Sequence, residues 1–215
     1  MKNIFETGEY QKIETKIKKF LNKQSDFLTP RTSTSTRAIG DAIQNILSEN
    51  LETILGNLVK EYSPSFARRA MADLAFCDKN DSYYIVDVKT HKLDTVFNMP
   101  NLTSVERLAR FYEEDKNYFV VLNIAYNLKG NGIKVEKVNF VPIEFLSWDC
   151  LTIGALGWGQ IQIANSNKID IVPQSRKKWM LTLCDTLFDF YPSEIGKIKE
   201  RIIYFKKVKT YWENK

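Results

Sequence analysis

Apolar side chains recur at helical spacing at Ile39, Ile43, Ile46, Leu47, Leu51, Ile54, Leu55 and Leu58, which predicts a long helix packing one face on a core, with a break near Ser48 to Asn50. Residues 3–22 read as a polar amphipathic helix, and Ser25 to Arg37, rich in Ser, Thr and Pro, reads as a loop. Further on the period drops to two. Ala72-Asp73-Leu74-Ala75-Phe76-Cys77 and Tyr83-Tyr84-Ile85-Val86-Asp87-Val88-Lys89 predict the two arms of a β-hairpin, joined by the turn-rich Asp78-Lys79-Asn80-Asp81-Ser82. Thr103-Ser104-Val105-Glu106 resembles a capping box and predicts a helix through Tyr112, with Val105, Leu108, Phe111 and Tyr112 on one face. The near-continuous apolar run Tyr118 to Ala125 predicts a buried central strand, and Ile133 to Val141 a further strand after the Leu128 to Gly132 turn. A helix is expected from about Ser175 to Phe190, with Trp179, Leu183, Leu187 and Phe190 inward, and another opening at Pro192.

A strand, a helix and a further buried strand imply a crossover, hence an α/β fold with a central mixed β-sheet flanked by helices. At 215 residues the expectation is a single domain, 1–215, with a helical N-terminal part (1–60), a core carrying the chemistry (61–165) and C-terminal helices (174–213).

Composition narrows the function classes. Apolar residues make up 44% and charged ones 27%, the profile of a chain that folds by itself. The formal charge of +5 permits a polyanionic partner without requiring one. Lysines crowd residues 12–23, and lysines with Arg201 crowd residues 197–209; DNA contact and a solvated helix face explain the first run equally well. Three widely spaced cysteines, Cys77, Cys150 and Cys184, suggest neither a disulfide frame nor a zinc site and fit a reducing cytoplasm. No signal-peptide core and no apolar stretch near the ~20 residues that span a bilayer are present, so no membrane role is expected. His91 is the sole histidine, expected to be exposed just past the hairpin, which argues against HNH-type nucleases and Ser-His hydrolases. A Gly-rich phosphate loop is absent, which disfavours a nucleotide-hydrolysing motor.

The hairpin carries the candidate chemistry. Symmetric pairing about Asn80 sets Cys77 against Tyr83, Ala75 against Ile85 and Asp73 against Asp87, and directly opposed Cβ atoms lie about 5 Å apart. Two anions so close repel unless a cation sits between them. Asp73, Asp87 and the Val88 carbonyl, completed by water, form the all-oxygen shell that Mg²⁺ prefers. Lys89 shares a face with Asp87 and could offset charge growing on a phosphate or orient the attacking water. The alternative is an ion pair between Asp87 and Lys89 at a strand end, with Asp73 a turn residue.

Met71-Ala72-Asp73 followed by Tyr84-Ile85-Val86-Asp87-Val88-Lys89-Thr90 resembles the PD-(D/E)XK nuclease signature, with Ala72 in place of the eponymous proline. Asn98-Met99-Pro100-Asn101-Leu102-Thr103-Ser104 and Gly157-Trp158-Gly159-Gln160-Ile161-Gln162 are similar to segments of the EcoRV/HincII-like branch of type II restriction endonucleases, with a layout also similar to SwaI-type enzymes. The resemblance spans about residues 30 to 190. It implies a restriction-endonuclease-like fold and Mg²⁺-dependent, sequence-specific hydrolysis of double-stranded DNA that leaves 5′-phosphates. It also implies catalytic Asp73, Asp87 and Lys89, a homodimer, and a DNA methyltransferase encoded nearby. Asn98, Asn101, Thr103, Gln160 and Gln162 are the DNA-binding candidates, since amides and hydroxyls read base edges; capping of the next helix is the alternative role for Asn98 and Asn101. Asp41, Glu49 and Glu52 are candidates for the accessory helix acid of such nucleases, and surface charge explains all three as well. The competing functions are a structure-selective repair or junction-resolving nuclease and a non-catalytic DNA-binding domain.

Overall fold

The computed structural model describes residues 3–24, 27–29, 32–62 and 72–215; Met71 of the nuclease-like motif lies outside them. The chain divides into two compact units, Met1–Val172 and Pro173–Lys215. None of the helices in the described residues is long and apolar enough to cross a membrane.

In the first unit, α1 (Glu9–Leu21) and α2 (Thr36–Leu55) precede β1 (Val59–Tyr62), β2 (Leu74–Asp78), β3 (Tyr83–Lys92), β4 (Asn101–Ser104) and α3 (Val105–Phe111). Then follow β5 (Asn117–Lys129), β6 (Gly132–Pro142), β7 (Leu151–Gly154) and β8 (Gln160–Ile163). Five strands form a mixed sheet in the order β1-β2-β3-β5-β6, in which only β3 and β5 run parallel. That parallel pair requires a crossover, and the segment through β4 and α3 supplies it. The middle strand is β3; β5, the predicted central strand, lies between β3 and β6.

The α-helices of this unit follow the apolar spacing. Ile13, Ile17 and Leu21 of α1 and Ile39, Ile43, Leu47 and Leu51 of α2 are buried and share one core with Tyr84 and Val86 of β3 and Val120, Leu122 and Ile124 of β5. Ser35 caps α2 by accepting from the Ala38 N–H at 3.3 Å, so the helix starts inside the expected loop. No break occurs at Ser48 to Asn50: α2 runs through them, with the Ser48 and Asn50 side chains donating to the carbonyls of Asn45 and Ile46. The lysine run on α1 is largely engaged with the fold: Lys16 donates to the Ile54 carbonyl, Lys18 to the Glu136 carbonyl, and Lys12 pairs with Glu9. Those contacts favour the structural reading of that run.

Other elements depart from the sequence expectations. A second, three-stranded sheet, β4-β8-β7, is built from segments read as loop and turn. Strands of four residues are too short for alternation to register, and long-range pairing decides them. Ser104, not Thr103, caps α3 and accepts from the Arg107 N–H, so Glu106 falls short of the third helical position and the predicted box does not form. His91 is inside β3 and 2% exposed, because pairing with β5 extends β3 to Lys92.

The second unit is one helix, α4 (Arg176–Glu213), with Pro192 in its interior rather than at the start of another helix. A proline deprives a helix of one hydrogen bond and crowds the carbonyl four residues before it, yet the helix continues on both sides of Pro192. Trp179 and Leu183 are buried, while Leu187 and Phe190, also expected inward, are half-buried.

Candidate active site

The hairpin forms in the predicted register over Leu74 to Cys77, with Leu74 against Val86, Ala75 against Ile85, Phe76 against Tyr84 and Cys77 against Tyr83, but the expected pairing of Asp73 with Asp87 does not form. The ladder stops at Leu74. Asp73, one residue beyond it, donates its N–H to the Val86 carbonyl at 3.0 Å. Its side chain is fixed at both oxygens: Oδ2 accepts the Val88 N–H at 2.7 Å and Oδ1 accepts Nε2 of Gln44 on α2 at 2.7 Å. Asp73 is thus a clamp between helix and sheet where β2 ends and β3 runs on.

Tyr84 and Val86 point into the core beneath α1 and α2, so Asp87 and Lys89 project from the opposite face of β3. Asp87 is 5% exposed; its Oδ1 accepts Lys89 Nζ at 2.7 Å, while Oδ2 is buried without a hydrogen-bond partner. Burial raises the Asp87 carboxyl, the Lys89 ammonium opposes that, and the Asp73 charge adds to it, leaving the group at about 7. A carboxyl in that state carries a latent negative charge that a cation would bring out.

Those facts bear on the metal. Among the described residues no group of three or more His, Cys, Asp and Glu side chains could hold an ion, so a protein-only cage is not on offer. Mg²⁺ does not require one, since it is commonly held by one or two carboxylates with water and substrate phosphate. The partnerless Asp87 Oδ2 supplies a donor that nothing else satisfies. The Val88 N–H points to Asp73, and in a strand the carbonyl of the same residue leaves on the same edge, which β2 has by then vacated. Asp73, Asp87 and the Val88 carbonyl therefore fit a hard, oxygen-seeking cation.

A cleft of about 430 Å³ adjoins this point, lined by Arg37, Gly40, Asp41 and Gln44 of α2, by Val88 to Thr90 and Lys92 of β3, and by Asn98. Of the three helix acids only Asp41 lines it; Glu49 and Glu52 do not. α2 comes this close because residue 40 is glycine: a Cβ there would meet Thr90 Oγ1 at 2.9 Å. Arg37, Lys89 and Lys92 give the cleft a cationic lining suited to phosphate, with Lys92 held by Asp94 at 2.7 Å.

The amide candidates gather on and beside the small sheet. The Asn98 carbonyl accepts from the Ser166 N–H at 2.8 Å, and Asn98 lines the cleft. Asn101 in β4 is exposed and opposite Gln162 in β8, and Gln162 Nε2 donates to Asn101 Oδ1. The Gln162 side chain lies over Gly154, where a Cβ would come within 2.7 Å of Oε1. Gln160 opens β8 opposite Ser104 and, with Gly157 and Trp158, lines a separate recess. Thr103 is 3% exposed, so its hydroxyl serves the fold. Neither Asn98 nor Asn101 caps α3, since Ser104 does. The whole segment is tied to β3 through His91, whose Nε2 meets Asn167 Oδ1 at 2.7 Å while Asn167 Nδ2 donates to the carbonyls of Thr95 and Val96.

Four further residues belong to the candidate site. Gln44 holds Asp73, and Arg37 lies on the stripe 37, 40, 41, 44 along α2, a spacing visible once the helix start is moved from Ile39 to Thr36. Asn123 of β5 stands beside Lys89, and Asn139 of β6 beside Asn123, forming a buried polar row across three strands. Asn123 Oδ1 and Asn139 Nδ2 have no partner there. A polar residue inside the apolar run Tyr118 to Ala125 is the signal that could have singled out Asn123. Neither a family model nor a curated protein matches the chain.

Proposed function

We propose that the protein is a Mg²⁺-dependent endonuclease that hydrolyses phosphodiester bonds in double-stranded DNA at a specific sequence, as type II restriction enzymes do. The observation that carries this reading is the convergence of Asp73, Asp87 and Lys89 where β2 stops and β3 continues, with a buried carboxylate oxygen of Asp87 unpartnered and Lys89 lining a cationic cleft. Asp73, Asp87 and the Val88 carbonyl would hold the ion. Mg²⁺ bound there would polarise a non-bridging phosphate oxygen and lower the pKa of water at the site.

The chain's own residues do the rest. Gln44 and the Val88 N–H hold Asp73 in one orientation, which removes the cost of ordering it when substrate arrives. Lys89 lowers the Asp87 carboxyl by its proximity, against the effect of burial, and, released from it, can donate to an oxygen on which charge develops. Arg37 and Lys92 place the DNA backbone along the cleft. Asn101 and Gln162 present a joined pair of amides whose remaining donor and acceptor match adenine edges. A homodimer would bring two such centres to the two strands of a symmetric site.

One observation favours a structure-selective nuclease instead. Asn101 and Gln162 already satisfy one another in part, which lessens their need for bases. Incubating the purified protein with plasmid and phage DNA in Mg²⁺ and sequencing the ends decides between the two. A single recurrent sequence at 5′-phosphorylated ends supports the proposal; cuts confined to branched or flapped DNA support the second reading. The same sequencing gives the recognition site and the cut position.

A further inference from the structure

α4 presents a large apolar surface to solvent in a regular pattern. Leu181, Phe188, Ile195 and Ile202 follow one another at intervals of seven, and so do Tyr191, Ile198, Phe205 and Trp212; each of these eight is between 38% and 70% exposed. Cys184 and Lys209 complete two interleaved rows with alternating steps of three and four, from residue 181 to residue 212. A spacing of 3.5 sustained over more than four heptads is the pattern of a helix that supercoils with another helix. Trp179 and Leu183, the buried side chains of α4, lie outside these rows.

We infer that this seam pairs with the same helix of a second copy of the chain, antiparallel, with Ile195 packed against Ile198 of the partner subunit. The charges beside the seam select that partner and that register. With Ile195 on Ile198 of the partner subunit, Phe188 meets Phe205 of the partner subunit, and Leu181 meets Trp212 of the partner subunit. Glu194 then faces Arg201 of the partner subunit, Asp185 faces Lys206 of the partner subunit, and Lys178 faces Glu213 of the partner subunit. Every one of these flanking pairs is attractive, and two-fold symmetry repeats each of them. Sliding by one heptad in one direction sets Glu194 against Glu194 of the partner subunit; sliding in the other sets Arg201 against Arg201 of the partner subunit. A parallel pair would bring Arg201 beside Lys206 of the partner subunit and Glu194 beside Lys199 of the partner subunit, one repulsive contact against one attractive, whereas the antiparallel register has attractive ones alone. Like charges at these positions disfavour an arrangement, and opposite ones set orientation and register.

Within one chain Glu194 is held by Lys197 at 2.7 Å and Glu213 by Lys209 at 3.5 Å. The exposed Lys209–Glu213 pair is worth only a few tenths of a kcal/mol and yields to an intermolecular partner, whereas the Glu194 side chain is 13% exposed, so its contact with Arg201 of the partner subunit adds to the Lys197 pair rather than replacing it. Ile203, Tyr204 and Tyr211, also exposed, fall outside the seam.

Sedimentation equilibrium on the full chain tests this without DNA or Mg²⁺, so its outcome is separate from that of the nuclease proposal. The wild-type protein is expected at twice its 25.0 kDa chain mass, and Ile198→Asp at the chain mass. Glu194→Arg and Arg201→Glu should each weaken the dimer about tenfold or more, since each turns two attractive contacts repulsive. The combined Glu194→Arg/Arg201→Glu protein should return to within a few-fold of wild type, while Lys207→Glu, outside the seam, should change nothing. Circular dichroism of the charge variants controls for loss of helix. A monomeric wild type, including one that instead sediments with anionic phospholipid vesicles, overturns the inference, as does a dimer indifferent to Ile198→Asp. Failure of the double reversal to restore what the single changes lose overturns the antiparallel register.

Discussion

Gln44 donates its side-chain amide to Asp73 at 2.7 Å, so a helix 29 residues away in sequence fixes the direction of one of the two candidate metal-binding carboxylates. The other Asp73 oxygen is held by the backbone of β3, and the two contacts together leave that carboxylate one orientation.

Gln44→Ala should therefore lower cleavage roughly 10- to 100-fold and raise the Mg²⁺ concentration needed for half-maximal rate, the usual effect of removing a residue that orients a ligand. Titrating Mg²⁺ against rate for both proteins checks this. An unchanged Mg²⁺ requirement would mean that Asp73 does not hold the ion.

Asp87 gives a pH signature. Its carboxyl is raised from the usual range to about 7 by burial, so the folded protein without Mg²⁺ binds this proton more tightly than the unfolded chain does. The associated stability is present in full below the unfolded value, near 3.8, and is lost as pH rises through about 7. Thermal melts in chelator should show Tm falling across that window by an amount worth on the order of a few kcal/mol. Asp87→Asn should flatten the dependence, since an amide does not titrate. Added Mg²⁺ should recover stability near pH 8 in wild type but not in Asp87→Asn. Cleavage should fall as pH drops below 7, and Asp87→Ala should abolish it while DNA binding persists.

Lys89 acts on the same carboxyl, lowering its pKa through a contact of 2.7 Å. Lys89→Ala should cut the rate at least ~100-fold with little change in DNA affinity, because a group that acts on developing charge serves the transition state. The acidic limb of the pH–rate profile should also move upward. Binding lost in proportion to rate would make Lys89 an ordinary phosphate contact.

The hydrogen bond between Asn101 and Gln162 makes their contributions to recognition interdependent. Asn101→Ala should reduce discrimination of the cognate site by ~1–3 kcal/mol while sparing non-specific affinity. Gln162→Ala should act similarly, and the double variant should lose less than the two single losses together. Cleavage of the cognate site and its single-base variants measures each term. Simple additivity, or no loss of preference, would leave the pair structural.

Close approach of α2 to β3 at Gly40 is testable as well. Gly40→Ala should destabilise the fold by ~1–3 kcal/mol in chemical denaturation, because the new methyl meets Thr90 Oγ1 at 2.9 Å. Thr90→Ala should relieve much of that loss. A stabilised Gly40→Ala protein would show that the helix moves away at little cost.

Periodicity in the sequence determined the local elements around the site. Alternation in 72–77 and 83–89, with a turn-forming spacer, set the hairpin and its register, since a slip of one residue would turn Leu74, Phe76, Tyr84 and Val86 out of the core. The same alternation put Asp87 and Lys89 on one face, and helical spacing gave α2 its buried stripe. What decided the rest acts between residues far apart in the chain. Gln44 on Asp73, Asn123 beside Lys89, Asn101 on Gln162 and the burial of His91 arise only when α2, β5 and β8 pack against β3 and β4. A local pattern records which face of an element is buried, not which residue of a distant element meets it. The seam of α4 lies between these cases. Its 3.5 spacing is written in residues 181–212, yet Pro192 reads locally as the start of a helix, and only an uninterrupted helix aligns the positions on its two sides.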